Sequence, residues 1–412
     1  MMQLQHQNIP TLQVRNLALF GGIPTFCETL HVGCPNIGNK ERFFERVQDI
    51  LDRKWLTNDG TYLQEFKAQL GKYTGGKHCI PLCNGTIGLE IAIRALGLKG
   101  EVIVPSFTFV ATAHALQWQE ITPVFCDVDP LTHNIDPTKI EQLITPKTTG
   151  IIGVHVWGRP CNVESLRDIA HRYNLKLIFD AAHALRCSHR GQMIGDYGDA
   201  TIFSFHATKF INTFEGGAIV TNDDQLANKI GLMKNFGFGA GYDNVTYIGT
   251  NGKMNEISAA MGLTNLESID SFIATNFRNY QQYKIGLSDI PGIKLITYDE
   301  TEKNNYQYIV LEVNSDKAGI TRDELVQILH SENVLARRYF FPGCHQMEPY
   351  RSHFPNAELL LPETKRLTHK VISLPTGTAM NVESIEKVCR LIRFCVQNSR
   401  EIQTLMYEKN IA

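Results

Sequence analysis

From about Lys77 to Asn222 the chain repeats one pattern: a short apolar run, a polar turn, then a segment with helical periodicity. The runs cover 79–82, 101–105, 122–128, 150–157, 175–180, 201–205 and 216–221, with helical periodicity over 88–96, 163–173 and 224–235 among the segments between them. Several runs are continuous in apolar character rather than alternating, as expected of strands covered on both faces. Strands alternating with helices predict an α/β unit built on a mainly parallel sheet. In such sheets ligands gather beyond the carboxyl ends of the strands, so chemistry is expected just after these runs. From about Ala274 the character changes to a helix-like stretch, a strand over 305–313, a helix over 322–333 and a final helix from about Val382. The expected organisation is an N-terminal arm over 1–30, a large α/β domain over 31–273 and a small C-terminal α+β domain over 274–412.

Composition narrows the possible functions. A hydrophobic share of 43% with 20% charged residues is that of an ordinary folded protein with a filled core. The formal net charge is -2 and no basic run is longer than a pair such as Arg337 and Arg338, so no nucleic-acid partner is expected. Ten cysteines are scattered from Cys27 to Cys395 without a CxxC pair, which predicts reduced thiols and no metal site. Residues 1–13 are Gln-rich without a basic-then-apolar signal, and no stretch approaches a membrane span. A cytoplasmic protein with no membrane partner is the expectation.

Lys209 is the only Asp, Glu, Lys or Arg between Asp199 and Glu215. A lysine among apolar residues after a strand is costly unless a partner or a reaction explains it. Desolvation there lowers its pKa and makes the amine nucleophilic, as a Schiff-base lysine requires. The bland alternative is a packed stem with its head in water. Upstream, the run 175–180 ends in Asp180, suited to meet a cofactor's pyridinium nitrogen or simply to cap a helix. Asn84, Gly85 and Thr86 join a strand to a helix, where backbone N–H groups and the helix dipole attract a phosphate. Ser204 can add a hydroxyl to the same phosphate, and Phe109 can lie on an aromatic ring or fill a core. The glycines at 237, 239 and 241 follow a helical run rather than a strand, so they read as a flexible loop and not as a dinucleotide fingerprint.

Taken in order, Asn84 to Thr86, Pro105 to Phe109, Asp180 to His183, Ser204 to Lys209 and Glu215 to Gly217 resemble the DegT/StrS family of nucleotide-sugar aminotransferases. The resemblance runs from roughly Leu17 to Leu391 and implies the fold-type I architecture with pyridoxal 5'-phosphate as cofactor. It implies that Lys209 forms the covalent link to the cofactor and Asp180 pairs with the pyridine nitrogen. Ser204 and the Gly85 and Thr86 amides would hold the phosphate, Phe109 would stack on the ring, and His183, often Gln in the family, would lie near the phenolic oxygen. Asn251 matches an asparagine that reaches the phosphate of the neighbouring subunit, which implies a homodimer with shared active sites. Stretches beginning at Trp55, His155, Tyr339 and Ser373 are similar to the subgroup that makes dTDP-4-amino-4,6-dideoxyglucose from dTDP-4-keto-6-deoxyglucose, with glutamate as amino donor. Tyr339, His345 and Arg338 are expected to touch the sugar nucleotide. Two departures stand out: Gly252 where many members carry an aromatic residue, and Arg186 where glycine is common. The galacto epimer, a 3-keto sugar substrate, a sugar dehydratase and a non-catalytic binding protein are the alternatives. Related dehydratases replace the lysine with histidine, so Lys209 favours amino transfer.

Overall fold

Six of the predicted apolar runs point the same way in one sheet, and a seventh runs against them. The computed structural model describes residues 13–241 and 243–411. The sheet comprises β1 (His78–Leu82), β2 (Glu101–Pro105), β3 (Thr122–Cys126), β4 (Thr148–Val154), β5 (Lys176–Asp180), β6 (Ala200–Ser204) and β7 (Gly217–Thr221). Their order across the sheet is β1-β7-β6-β5-β4-β2-β3. Only β7 is antiparallel to its neighbours. Ile103, Ile152, Ile178 and Ile219 on these strands are fully buried, as the continuous apolar runs require.

The helices of this unit are α1 (Lys40–Arg53), α2 (Thr61–Thr74), α3 (Gly85–Ala95), α4 (Ala111–Gln117), α5 (Val163–Arg172), α6 (Asp224–Met233) and α7 (Glu256–Leu266). Asn84, Asn162, Asp223 and Asn255 cap four of them by accepting backbone N–H groups. A long helix, α8 (Ile269–Gly286), leads into a three-stranded antiparallel sheet of β8 (Ile293–Leu295), β9 (Ile309–Val313) and β10 (Val371–Leu374). With α9 (Arg322–Ser331) and α10 (Val382–Gln397) it encloses a second core that includes Tyr283, Leu311, Ile328 and Ile392.

The strand expected over 305–313 begins only at Ile309, because the polar groups of 305–307 are engaged elsewhere. Asn305 Nδ2 donates to the carbonyls of His183 (2.8 Å) and Leu185 (2.9 Å), and its Oδ1 accepts from Gln307 N (3.0 Å). The final helix breaks at Asn398 and resumes as α11 (Ser399–Ile411). Residues 1–12 of the expected arm lie outside the described residues. Its remainder packs on the second core through Val14, Leu17, Leu19 and Phe26, and Leu30–His31 pairs in parallel with Val334–Leu335. The glycine-rich segment is a loop that folds back on itself. Gly237 has φ +78°, and a Cβ there would lie 1.7 Å from the Tyr247 carbonyl oxygen, so only glycine fits this crossing.

Candidate active site

The loops that follow β1, β2, β5 and β6 converge on a cavity of about 540 Å³. Gly85, Thr86, Phe109, Asp180, His183, Ser204 and Lys209 all line it. Three sequence-distant segments meet at one end because β7 lies between β1 and β6, with Gly217 opposite both Leu82 and Ser204. A Cβ on Gly217 would come within 2.7 Å of the Asn84 carbonyl carbon and the Gly85 nitrogen, and one on Gly85 within 3.1 Å of Ser204 Cβ. These two glycines let the N-terminus of α3 close onto the Ser204 hydroxyl. The Asn84 side chain takes the Ile87 amide (2.8 Å), while the Gly85 and Thr86 amides belong to the first turn, whose donors have no partner within the helix. A phosphate group suits this end of the cavity.

Asp180 ends β5 and is buried. Its oxygens accept from Thr112 Oγ1 (2.9 Å) and from the Ala182 amide (3.0 Å). Burial pushes its carboxyl above the usual range, and the two hydrogen bonds and the Lys209 charge only partly offset this. A buried carboxylate left short of compensation suits a cationic partner such as a protonated ring nitrogen. Lys209 sits in the loop after β6. Burial brings its amine down to about 8, with Asp180 opposing that shift and Arg337 adding to it. Its Nζ donates to Tyr308 Oη at 3.4 Å.

His183 is held neutral, because burial and then the Lys209 charge push it well below the usual imidazole range. Trp157, in a left-handed conformation at φ 62°, donates its backbone N–H to His183 Nδ1 at 3.2 Å. That assigns the imidazole hydrogen to Nε2. Phe109 projects into the cavity with 59% of its surface exposed. A flat ring bearing a phosphate, lodged between Phe109, Asp180 and Lys209, matches this set of groups.

Not every expected residue is gathered here. Asn251 is exposed, bridged to Asn235 just before the glycine-rich loop, and does not line the cavity of its own chain. Tyr339 lines it, but His345 does not: it is buried with Nδ1 on Ser106 Oγ at 2.7 Å. Arg338 turns to Asp323 (3.0 Å) and lies over Phe341. Neither lines the cavity of its own chain, and in this structure both pack within the segment that carries Tyr339. Arg186 has φ 65°, which explains why a glycine suits that position, and its guanidinium lies over Tyr73. Gly252 is buried, and a Cβ there would lie 2.9 Å from Ile91, so no aromatic residue fits without movement.

Sequence reasoning missed Thr112, Tyr308, Trp157 and Arg337. Thr112 was legible as the i+4 partner of Thr108 at the start of α4, a pair whose hydroxyls lie 2.9 Å apart. Arg337 reaches the cavity beside Tyr339, whose hydroxyl it holds at 2.6 Å.

Known proteins resemble this chain in sequence and in overall fold. The model of the DegT/DnrJ/EryC1/StrS aminotransferase family matches residues 38–393. A Shigella dysenteriae protein named dTDP-4-amino-4,6-dideoxy-D-glucose transaminase is 39% identical over 359 residues, covering 87% of this chain and 97% of the relative. The crystal structure of DesI in the presence of its TDP-sugar product superposes with a TM-score of 0.91 at 44% identity, covering 96% of this chain and all of that one. A Bacillus subtilis structure, NtdA with bound cofactor PMP, superposes with a TM-score of 0.78 at 27% identity, covering 87% and 82% of the two chains.

Proposed function

This chain belongs to the DegT/DnrJ/EryC1/StrS aminotransferase family, and from that premise we propose that it transfers an amino group from glutamate to dTDP-4-keto-6-deoxy-D-glucose, giving dTDP-4-amino-4,6-dideoxy-D-glucose. It is an aminotransferase that uses pyridoxal 5'-phosphate. The observation that carries the reading is the meeting of Lys209, Asp180 and the Gly85–Ser204 cradle in one cavity. When bound, the cofactor supplies a carbonyl that accepts and passes on the amino group, and an electron-poor ring that eases loss of a proton from the neighbouring carbon.

The chain's own residues do the rest. The Gly85 and Thr86 amides and Ser204 Oγ would hold the phosphate, Asp180 would keep the ring nitrogen protonated, and Phe109 would cover the ring face. His183, with its hydrogen on Nε2, would lie near the phenolic oxygen. Lys209 Nζ takes the α proton of the donor and later returns a proton to the sugar carbon that receives the amine. With an amine near 8, Lys209 alternates between the two forms without a large driving force at neutral pH. The Shigella relative's name and the TDP-sugar in the DesI structure support the choice of substrate.

We further assign a homodimer in which Asn251 of each chain completes the other's phosphate site. Exposed apolar side chains at Trp55, Leu56, Phe214 and Ile248 support a covered face. The test is the visible spectrum of the protein loaded with pyridoxal phosphate, before and after glutamate, with proton NMR of the sugar product. Loss of the visible band on adding glutamate and an equatorial amine at the sugar's fourth carbon are expected. An axial amine would overturn the gluco assignment, and a band indifferent to glutamate would overturn amino transfer.

A further inference from the structure

We infer that the Tyr308 hydroxyl is a positioning partner of the Lys209 amine, holding it in both its charged and its neutral form; this rests on the reading of Lys209 as the reactive amine. The contact with Tyr308 Oη is the one hydrogen bond that Lys209 Nζ makes among the described residues. Tyr308 comes from the other part of the molecule, immediately before β9. Its ring is fixed on three sides, with centroids 4.5 Å from His183, 5.4 Å from Trp157 and 6.3 Å from Tyr339. Its carbonyl accepts from Tyr298 Oη at 2.8 Å. The hydroxyl therefore has one fixed position, whereas a lysine side chain detached from a ligand has many rotamers.

The charges facing the pair are few. Asp180 favours the ammonium form of Lys209, while burial and Arg337 oppose it. His183, the nearest titratable ring, is kept neutral. Tyr339 and Tyr298 also face the Tyr308 phenol, and burial above all pushes that phenol well above its usual range. Tyr308 thus keeps its hydrogen wherever Lys209 titrates. A phenol is both acceptor and donor: it accepts from the ammonium and donates to the free amine. When the amine gains or loses a proton, the phenol hydrogen turns round and the nitrogen stays aimed. At 3.4 Å the bond is long, as catalytic contacts in a free protein often are before substrate fills the site.

A tyrosine that served only as cavity wall would be replaced by phenylalanine without loss, and this separates the two roles. Full-length wild type, Tyr308→Phe and Lys209→Ala are loaded with pyridoxal phosphate and mixed with glutamate, following the visible band in single turnover. The pH midpoint of cofactor uptake by the cofactor-free proteins is measured in parallel. Tyr308→Phe is expected to take up cofactor, to react about tenfold or more slowly at saturating glutamate, and to keep an apparent glutamate affinity within about threefold of wild type. Its uptake midpoint moves to lower pH, because the ammonium loses a charge-assisted acceptor and the amine only a neutral donor. A wild-type rate overturns the inference, and so does a slow rate with an unmoved midpoint. If wild type itself fails to respond to glutamate, the Lys209 reading falls instead.

Discussion

Lys209 and Asp180 form the unit on which the proposed chemistry depends, and their environments give it a pH signature. With its amine near 8, Lys209 is mostly protonated below that value and mostly a free nucleophile above it. Cofactor uptake by the cofactor-free protein should therefore quicken as pH rises through about 8 and slow as it falls, measurable by stopped-flow absorbance. Asp180 depends on two donors, of which only Thr112 is a side chain. Thr112→Val should weaken cofactor binding by about 1–2 kcal/mol, roughly tenfold, in a fluorescence titration. Both acidic and basic members were legible in the sequence because a charge inside an apolar run demands a reason. Tyr308 was not, since an aromatic residue at the edge of a strand-like run looks the same whether its hydroxyl faces a core, water or an amine. Trp157 contributes through its backbone, about which side-chain patterns are silent.

At the scale of elements, the buried runs of the large sheet were read correctly because their apolar character is continuous. Boundaries failed where polar side chains outcompeted the ladder, as Asn305 does by bonding the loop after β5. On β9, Glu312 is 12% exposed and faces His133, Lys294 and Arg366. Burial alone would raise its carboxyl, but the hydrogen bond with His133 and the cations bring it down to about 2. Between about 4.5 and 2 the unfolded chain binds more protons than the folded one, so this contribution is full above 4.5 and lost as pH falls toward 2. Glu312→Gln should lower stability near neutral pH by about 1–3 kcal/mol and flatten its loss on acidification, as urea melts at several pH values would show. The α11 helix, beyond the family-matched 38–393, clasps the N-terminal turns: Lys409 Nζ donates to the Leu19 carbonyl at 2.7 Å and Ile402 is fully buried. Ile402→Ala should cost about 2–4 kcal/mol in the same melts.

For the molecule as a whole, the position of Asn251 outside its own cavity motivates a complementation experiment. Co-expressed Lys209→Ala and Asn251→Ala chains, each inactive alone, should regain up to about a quarter of wild-type activity in the statistical mixture of symmetric dimers. In the hybrid, one site carries both defects and the other neither. Sites confined to single chains would give no recovery. The sheet order carries a consequence for how the molecule is made. β1 and β6 become neighbours of the phosphate cradle only through β7, which inserts between them some 135 residues after β1 ends, a span read from Leu82 and Gly217. A nascent chain that has not yet released residues 217–221 from the ribosome holds both halves of the cradle apart, so cofactor capture is a late event in synthesis. Closing so distant a pairing is slow, and cofactor supplied during refolding should bind only after β7 has docked between β1 and β6.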